Sequence, residues 1–236
     1  MQSYTRRQLK EDRFQEAAKE TVHWTVVHRK TIITVLVVAG IITAVTASLL
    51  AYNSKQEERA SEALGRALRI YQAPLRQPNA PADPKQKSFL SVEERAKEAN
   101  KQFQQVADQY PHSGSGKNAR YLAAVTALEA GDTGNAEKRL KDIADSGDRE
   151  RAALAKLALA SLCRSNNRDA EAVKLYKDLI DHPTNSVPKV TAQFQLADAY
   201  QAKQPDEAKR IYDELAKDKD PNIAQLARQK QTALAR

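Results

Sequence analysis

The sequence predicts an all-α protein: a single N-terminal transmembrane helix, then an α-solenoid of about four helix pairs closed by a C-terminal cap helix. Three observations carry this. Residues 31–52 run TIITVLVVAGIITAVTASLLAY without one charge, in a chain whose mean hydropathy is −0.67. The chain has only seven glycines and nine prolines, and they fall between long stretches of Ala, Leu, Lys, Glu, Gln and Arg, all strong helix formers. Short apolar motifs also recur every 36 or 37 residues.

The first 30 residues form a polar tail. Within it Arg6 to Val27 places Phe14, Ala18 and Val22 on one helical stripe, which suits an amphipathic helix on a membrane face; a poorly ordered tail is the plain alternative. The apolar run 31–52 follows. At a rise of about 1.5 Å per residue it extends roughly 33 Å, enough for a bilayer core of about 30 Å. A cleavable signal peptide has a shorter apolar region nearer the N-terminus, so an uncleaved anchor is expected, with Val45-Thr46-Ala47 as the alternative cleavage site. His28-Arg29-Lys30 abuts the run, whereas Lys55 and Arg59 stand further from its other end, which places the N-terminus in the cytoplasm.

Residues 53–236 are the repeat domain. Its first helix is expected from Lys55 to Tyr71, followed over 74–91 by a loop with Pro74, Pro78, Pro81 and Pro84, too proline-rich to continue a helix. A helix with Ala99, Phe103 and Val106 completes that pair. The same stripe returns as Ala136, Leu140 and Ile143, as Ala172, Tyr176 and Leu179, and as Ala208, Tyr212 and Leu215. Ahead of the last three copies lie Leu122-Ala123, Leu159-Ala160 and Leu196-Ala197, so two kinds of helix alternate. Turn-forming stretches at 130–135, 165–169 and 202–206 separate the helices within pairs, and Asp148, Pro183 to Pro188 and Pro221 separate successive pairs. Asn222 to Arg236 reads as the cap.

This pattern resembles the tetratricopeptide repeat, in period more than in letters: the family's early tryptophan is absent, and Leu196-Ala197 with Tyr200 is the best copy of its Leu, small, Tyr trio. The single anchor, the short tail and the stretch from Tyr110-Pro111-His112-Ser113 to Ala119-Arg120-Tyr121-Leu122-Ala123 are similar to bacterial envelope tetratricopeptide proteins, nearest in layout to the YfgM-like ancillary SecYEG translocon subunit family. The resemblance implies a single-pass inner-membrane protein whose periplasmic repeat domain serves as a scaffold or chaperone-like adaptor. Its partners would be polypeptides, with the SecYEG translocon and exported clients among them. A repeat organiser of envelope assembly or cell division, or an adaptor facing the cytoplasm, would share the same layout.

In the repeat frame the first helices of the pairs direct Lys117, Arg120, Leu157, Arg164, Phe194, Asp198 and Gln201 toward one concave groove. Each position also fits helix-packing core, Leu157 and Phe194 most of all. A mixture of apolar and charged side chains there suits an extended or helical polypeptide.

Other chemistry finds little support. The net charge is +8, but acids and bases alternate along the helices, as in Asp206-Glu207-Ala208-Lys209-Arg210, and no basic stripe with stacking aromatics marks a nucleic-acid partner. Ser113-Gly114-Ser115-Gly116-Lys117-Asn118 looks like a phosphate loop only superficially, because Pro111 takes the first glycine position, Asn118 replaces Ser or Thr, and no strand precedes it; it reads as a turn. His23, His28, His112 and His182 are scattered, without metal-ligand spacing. Cys163 sits in an apolar stretch as a small hydrophobe. No cofactor and no enzymatic activity are expected.

Overall fold

The structure, a computed structural model, describes residues 28–79 and 87–234. The expected tail helix from Arg6 to Val27 lies outside the described residues. Two compact units emerge, Met1–Lys55 and Gln56–Arg236. The described helices are α1 (Arg29–Tyr71), α2 (Val92–Gln109), α3 (Gly114–Glu129), α4 (Thr133–Ala144), α5 (Arg149–Ser165), α6 (Asp169–Asp181), α7 (Lys189–Tyr200), α8 (Pro205–Leu215) and α9 (Pro221–Leu234).

In the first unit, α1 carries the apolar run, with Ile33, Leu36, Ile41, Ile42 and Leu50 all exposed. It is long and apolar enough to cross a membrane. Three of its threonines turn their hydroxyls back onto the helix backbone. The hydroxyls of Thr34, Thr43 and Thr46 donate to the carbonyls of Lys30, Ala39 and Ile42, four residues back, at 2.9, 2.8 and 2.7 Å. The sequence suggested a helix ending at Tyr52 and another starting at Lys55. Instead α1 runs unbroken to Tyr71. The junction Asn53-Ser54-Lys55-Gln56-Glu57 contains neither proline nor glycine, so nothing in it stops a helix.

In the second unit, four helix pairs and a final helix follow the repeat. The large apolar residue of each second helix, Phe103, Leu140, Tyr176 and Tyr212, is fully enclosed, and so is the alanine one turn before it, Ala99, Ala136, Ala172 and Ala208. First helices contribute Ala123, Ala160 and Ala197, again fully enclosed. A methyl side chain at these positions lets helix backbones approach closely, which explains a core made largely of alanine. Tyr71 and Phe103 join the first pair edge to face, with ring centroids 6.1 Å apart.

Local signals set the boundaries. Ser113, Asp132 and Asp148 accept from the Gly116, Asn135 and Arg151 backbone N–H groups and so cap α3, α4 and α5. Ser91 accepts from Glu94 N–H at 3.1 Å, while the Glu94 carboxylate accepts from Leu90 N–H at 2.9 Å, a reciprocal closure of the α2 N-terminus. Pro205 and Pro221 open α8 and α9, where a missing N–H costs nothing. Gly131 and Asn167, 36 residues apart, take φ of 84° and 59° in the turns inside the second and third pairs. In the proline-containing connection Arg76 N–H donates to the Phe89 carbonyl at 2.8 Å and Phe89 N–H to the Pro74 carbonyl at 3.1 Å, which seats the Phe89 ring in the core.

The stretch 113–118, expected as a turn, is mostly helix: Ser113 is the cap and α3 starts at Gly114. A side chain at Gly116 would force the backbone there to shift. A Cβ on it would lie 1.8 Å from the Tyr110 carbonyl oxygen.

Candidate functional site

The seven residues expected in one groove separate into two cavities and a packed layer. Lys117 and Arg120, one turn apart on α3, line a cavity of about 350 Å³ whose other walls are Pro111, the α4–α5 connection around Ser146 and Gly147, and Arg151 at the start of α5. Arg164, Asp198 and Gln201 line a second cavity of about 620 Å³, near the C-terminal ends of α5 and α7, together with Ser161, Ser165, Asn167, Asp169 and Lys203. Leu157 and Phe194 are half-buried and pack against the core cluster that contains Tyr176 and Tyr212; the Phe194 and Tyr212 ring centroids are 6.3 Å apart.

The smaller cavity is basic on one side. Arg151 pairs with Asp148, and its Nε and Nη2 donate to Asn118 Oδ1 at 2.9 Å and to the Gly114 carbonyl at 3.0 Å, tying α5 to α3. Asp148 is partly buried, which opposes its ionisation, yet the Arg151 backbone N–H and guanidinium hold its carboxyl below the usual range. Lys117 and Arg120 are exposed at the rim.

The larger cavity is organised around Asp198. Its carboxylate accepts from the Tyr212 hydroxyl, from Gln201 Nε2 at 3.0 Å and from Lys230 Nζ at 3.0 and 2.9 Å, while Gln201 Nε2 also reaches the Tyr212 oxygen at 2.8 Å. Burial, followed by the hydrogen bond to Asp198, pushes the Tyr212 hydroxyl far above an ordinary tyrosine. Arg164 Nη2 donates to the Asp198 main-chain carbonyl at 3.1 Å, which links α5 to α7. Lys203, from the turn before α8, pairs with Asp169 at the start of α6.

Sequence reasoning brought Arg164, Asp198 and Gln201 together but missed the residues that define their surroundings. Lys203 comes from a turn, Asp169 from the start of a second helix and Lys230 from the cap helix, none of which a frame built on first helices contains. Tyr212 was visible only as core, because its hydroxyl partner lies 14 residues away. The available signal was polarity: a tyrosine in a layer otherwise built of apolar residues needs a partner for its O–H.

The arrangement offers guanidinium, ammonium, amide and hydroxyl groups along open walls, which suits recognition of another polypeptide's polar groups. No curated protein and no solved structure matches the chain. A family model described as a tetratricopeptide repeat-like domain matches residues 23–236. With nearly its whole length matched, and with helix pairs repeating as the sequence predicted, the chain belongs to the tetratricopeptide repeat-like family.

Proposed function

We propose that this protein is a membrane-tethered scaffold that binds polypeptide segments along the first helices of its repeats, on the periplasmic side of the inner membrane and beside the protein translocon. The observation that carries the scaffold reading is the combination, in one chain, of a helix long and apolar enough to cross a membrane with a tetratricopeptide repeat-like domain. Repeats of this kind present stacked helices as extended binding surfaces. Contact residues are Lys117 and Arg120 in one cavity and Arg164, Asp198 and Gln201 in the other, with Leu157 and Phe194 supporting the second from behind.

Residues 1–30 then lie in the cytoplasm, 31–52 cross the bilayer, and 53–236 form the periplasmic domain, an orientation supported by Arg29 and Lys30 next to the apolar run. The layout shared with the ancillary translocon subunits supports the choice of partner. Tethering confines the binding surface to one membrane and so raises its effective concentration near a resident complex. The mechanism is recruitment, with no bond made or broken.

Photo-crosslinking groups placed at Arg120, Arg164 and Gln201 of the full chain in cells test this reading. Capture of translocon subunits or exported precursors is the expected result, and capture of cell-division proteins alone would overturn the assignment. Protease added to spheroplasts should digest the repeat domain; complete protection would reverse the topology.

A further inference from the structure

The charges around the 620 Å³ cavity do not cancel. Four charged side chains line it: Arg164, Asp169, Asp198 and Lys203. Lys203 is taken up by Asp169. Asp198 is met through both oxygens by Lys230, which reaches it from the cap helix, and also accepts from Tyr212 and Gln201. Both carboxylates therefore have a lysine. Arg164 has no carboxylate among the described residues; its one hydrogen bond goes to a main-chain carbonyl. A guanidinium carries five N–H donors in a planar fork that matches a carboxylate. Beside it, the Ser161 and Ser165 hydroxyls donate to the Leu157 and Leu162 carbonyls at 3.2 and 2.9 Å, so they face a ligand as acceptors. Such a wall has a place for one negative group and places for N–H donors next to it.

We propose that this cavity takes an acidic polypeptide segment, with an Asp or Glu carboxylate on the Arg164 guanidinium, and that Lys230 sets the preference by neutralising Asp198. The proposal rests on the scaffold reading and gives its partner a charge. Without Lys230, Asp198 would stand uncompensated in the same wall and repel the ligand carboxylate. The cap helix thus tunes recognition without lining the cavity.

The test uses the full chain in neutral detergent micelles and fluorescence anisotropy with a short labelled peptide of alternating Glu and Ser, compared with versions in which Gln or Lys replaces Glu. The Glu peptide should bind about tenfold more tightly than the Gln peptide, the scale of one charge-assisted hydrogen-bonded pair, and the Lys peptide more weakly still. Arg164→Gln should remove that preference. Ser161→Glu, at an exposed position where folding is not at stake, should do the same by placing a carboxylate next to Arg164. Lys230→Gln should weaken the Glu peptide and leave the Gln peptide unchanged.

Equal binding of Glu and Gln peptides, no binding of the Glu peptide, or an unchanged preference in both Arg164→Gln and Ser161→Glu would overturn the proposal. So would displacement of the labelled peptide by glycerol phosphate but not by unlabelled Glu peptide, which would make the site one for lipid headgroups. Crosslinks to a translocon subunit alongside equal peptide affinities would sink the charge assignment and spare the scaffold. A clear Glu preference alongside crosslinks only to division proteins would do the reverse.

Discussion

Tyr176 and Tyr212 occupy the same place in successive repeats and are both fully enclosed, yet they meet different polar company. The Tyr212 hydroxyl joins Asp198 and Gln201, whereas the Tyr176 hydroxyl has no hydrogen-bond partner among the described residues. A buried unsatisfied hydroxyl costs about 1–3 kcal/mol. Tyr176→Phe should therefore leave stability unchanged or raise it by up to about 1 kcal/mol, while Tyr212→Phe should lower it by about 1.5–3 kcal/mol, the usual worth of a hydrogen bond to a charged group. Denaturant unfolding of the two variants reads the contrast, and equal effects would contradict it. Gly116→Ala gives a second residue-scale prediction. Its Cβ would meet rigid backbone at the Tyr110 carbonyl, so the chain must shift, at a cost of about 1–3 kcal/mol in a melting experiment. The sequence marked the place of each tyrosine but not its polar surroundings, because a periodicity reports depth of burial and says nothing of which neighbour carries a free carboxylate.

Corresponding helices of neighbouring pairs are tied by side chains that no local pattern pairs. The Glu57 carboxylate accepts from the Gly114 and Ser115 N–H groups at 2.6 and 3.0 Å and from the Ser115 hydroxyl at 2.6 Å, so α1 places an anion at the positive end of α3. The Ser115 hydroxyl first, and the backbone donors with it, hold the Glu57 carboxyl below the usual range. Glu150 does the same for the connection before α7, accepting from Asn185 and Ser186 N–H. At the other helix ends the Tyr71 hydroxyl donates to Glu129 at 2.6 Å, which together with burial pushes it up to about 12. Between α4 and α6 the Arg168 guanidinium grips Glu137 with bonds of 2.9 and 2.7 Å, and this, with Lys141, holds the Glu137 carboxyl near 2, down from 4.5. A depressed carboxyl stabilises the fold above its unfolded value and loses that contribution as pH falls through the folded one. Glu137→Gln should therefore melt below the wild type at pH 6, and the gap should narrow as pH drops from about 4.5 toward about 2. A gap that widened on acidification would contradict the assignment. Helix boundaries from the end of α3 onward were legible because caps, prolines and turn residues act within a few positions. The Glu57 link joins residues 57 and 58 positions apart, and only the folded chain brings them together.

For the molecule as a whole, the repeat made fold class and pair count legible, since each pair must bury the same stripe. What it left hidden was which turn residues line the two cavities, Ser146 and Gly147 in one and Asn167 and Lys203 in the other, because the period does not constrain turns. The last helix matters beyond its size. Ala224 and Ala227 are buried against the preceding pair, Gln231 reaches Asp213, and Lys230 reaches Asp198. A chain ending at Asp220 should expose that apolar surface, aggregate in gel filtration and melt well below the full chain. A chain lacking residues 1–52 should leave the membrane fraction, and retention of it there in high salt would refute the anchoring role of α1.

Each repeat helix packs chiefly on its neighbours in sequence, and the end-to-end bonds join one pair to the next. Under a pulling force such a chain has no single bond that must yield first for the whole to give way. A force applied at the C-terminus should peel the pairs off one after another, α9 and α8 before α7, while the earlier pairs keep their shape. Optical-trap extension of the full chain should then show a staircase of small, evenly sized rips in place of one large one, making the repeat domain a shock absorber whose inner steps hold after the outer ones have let go.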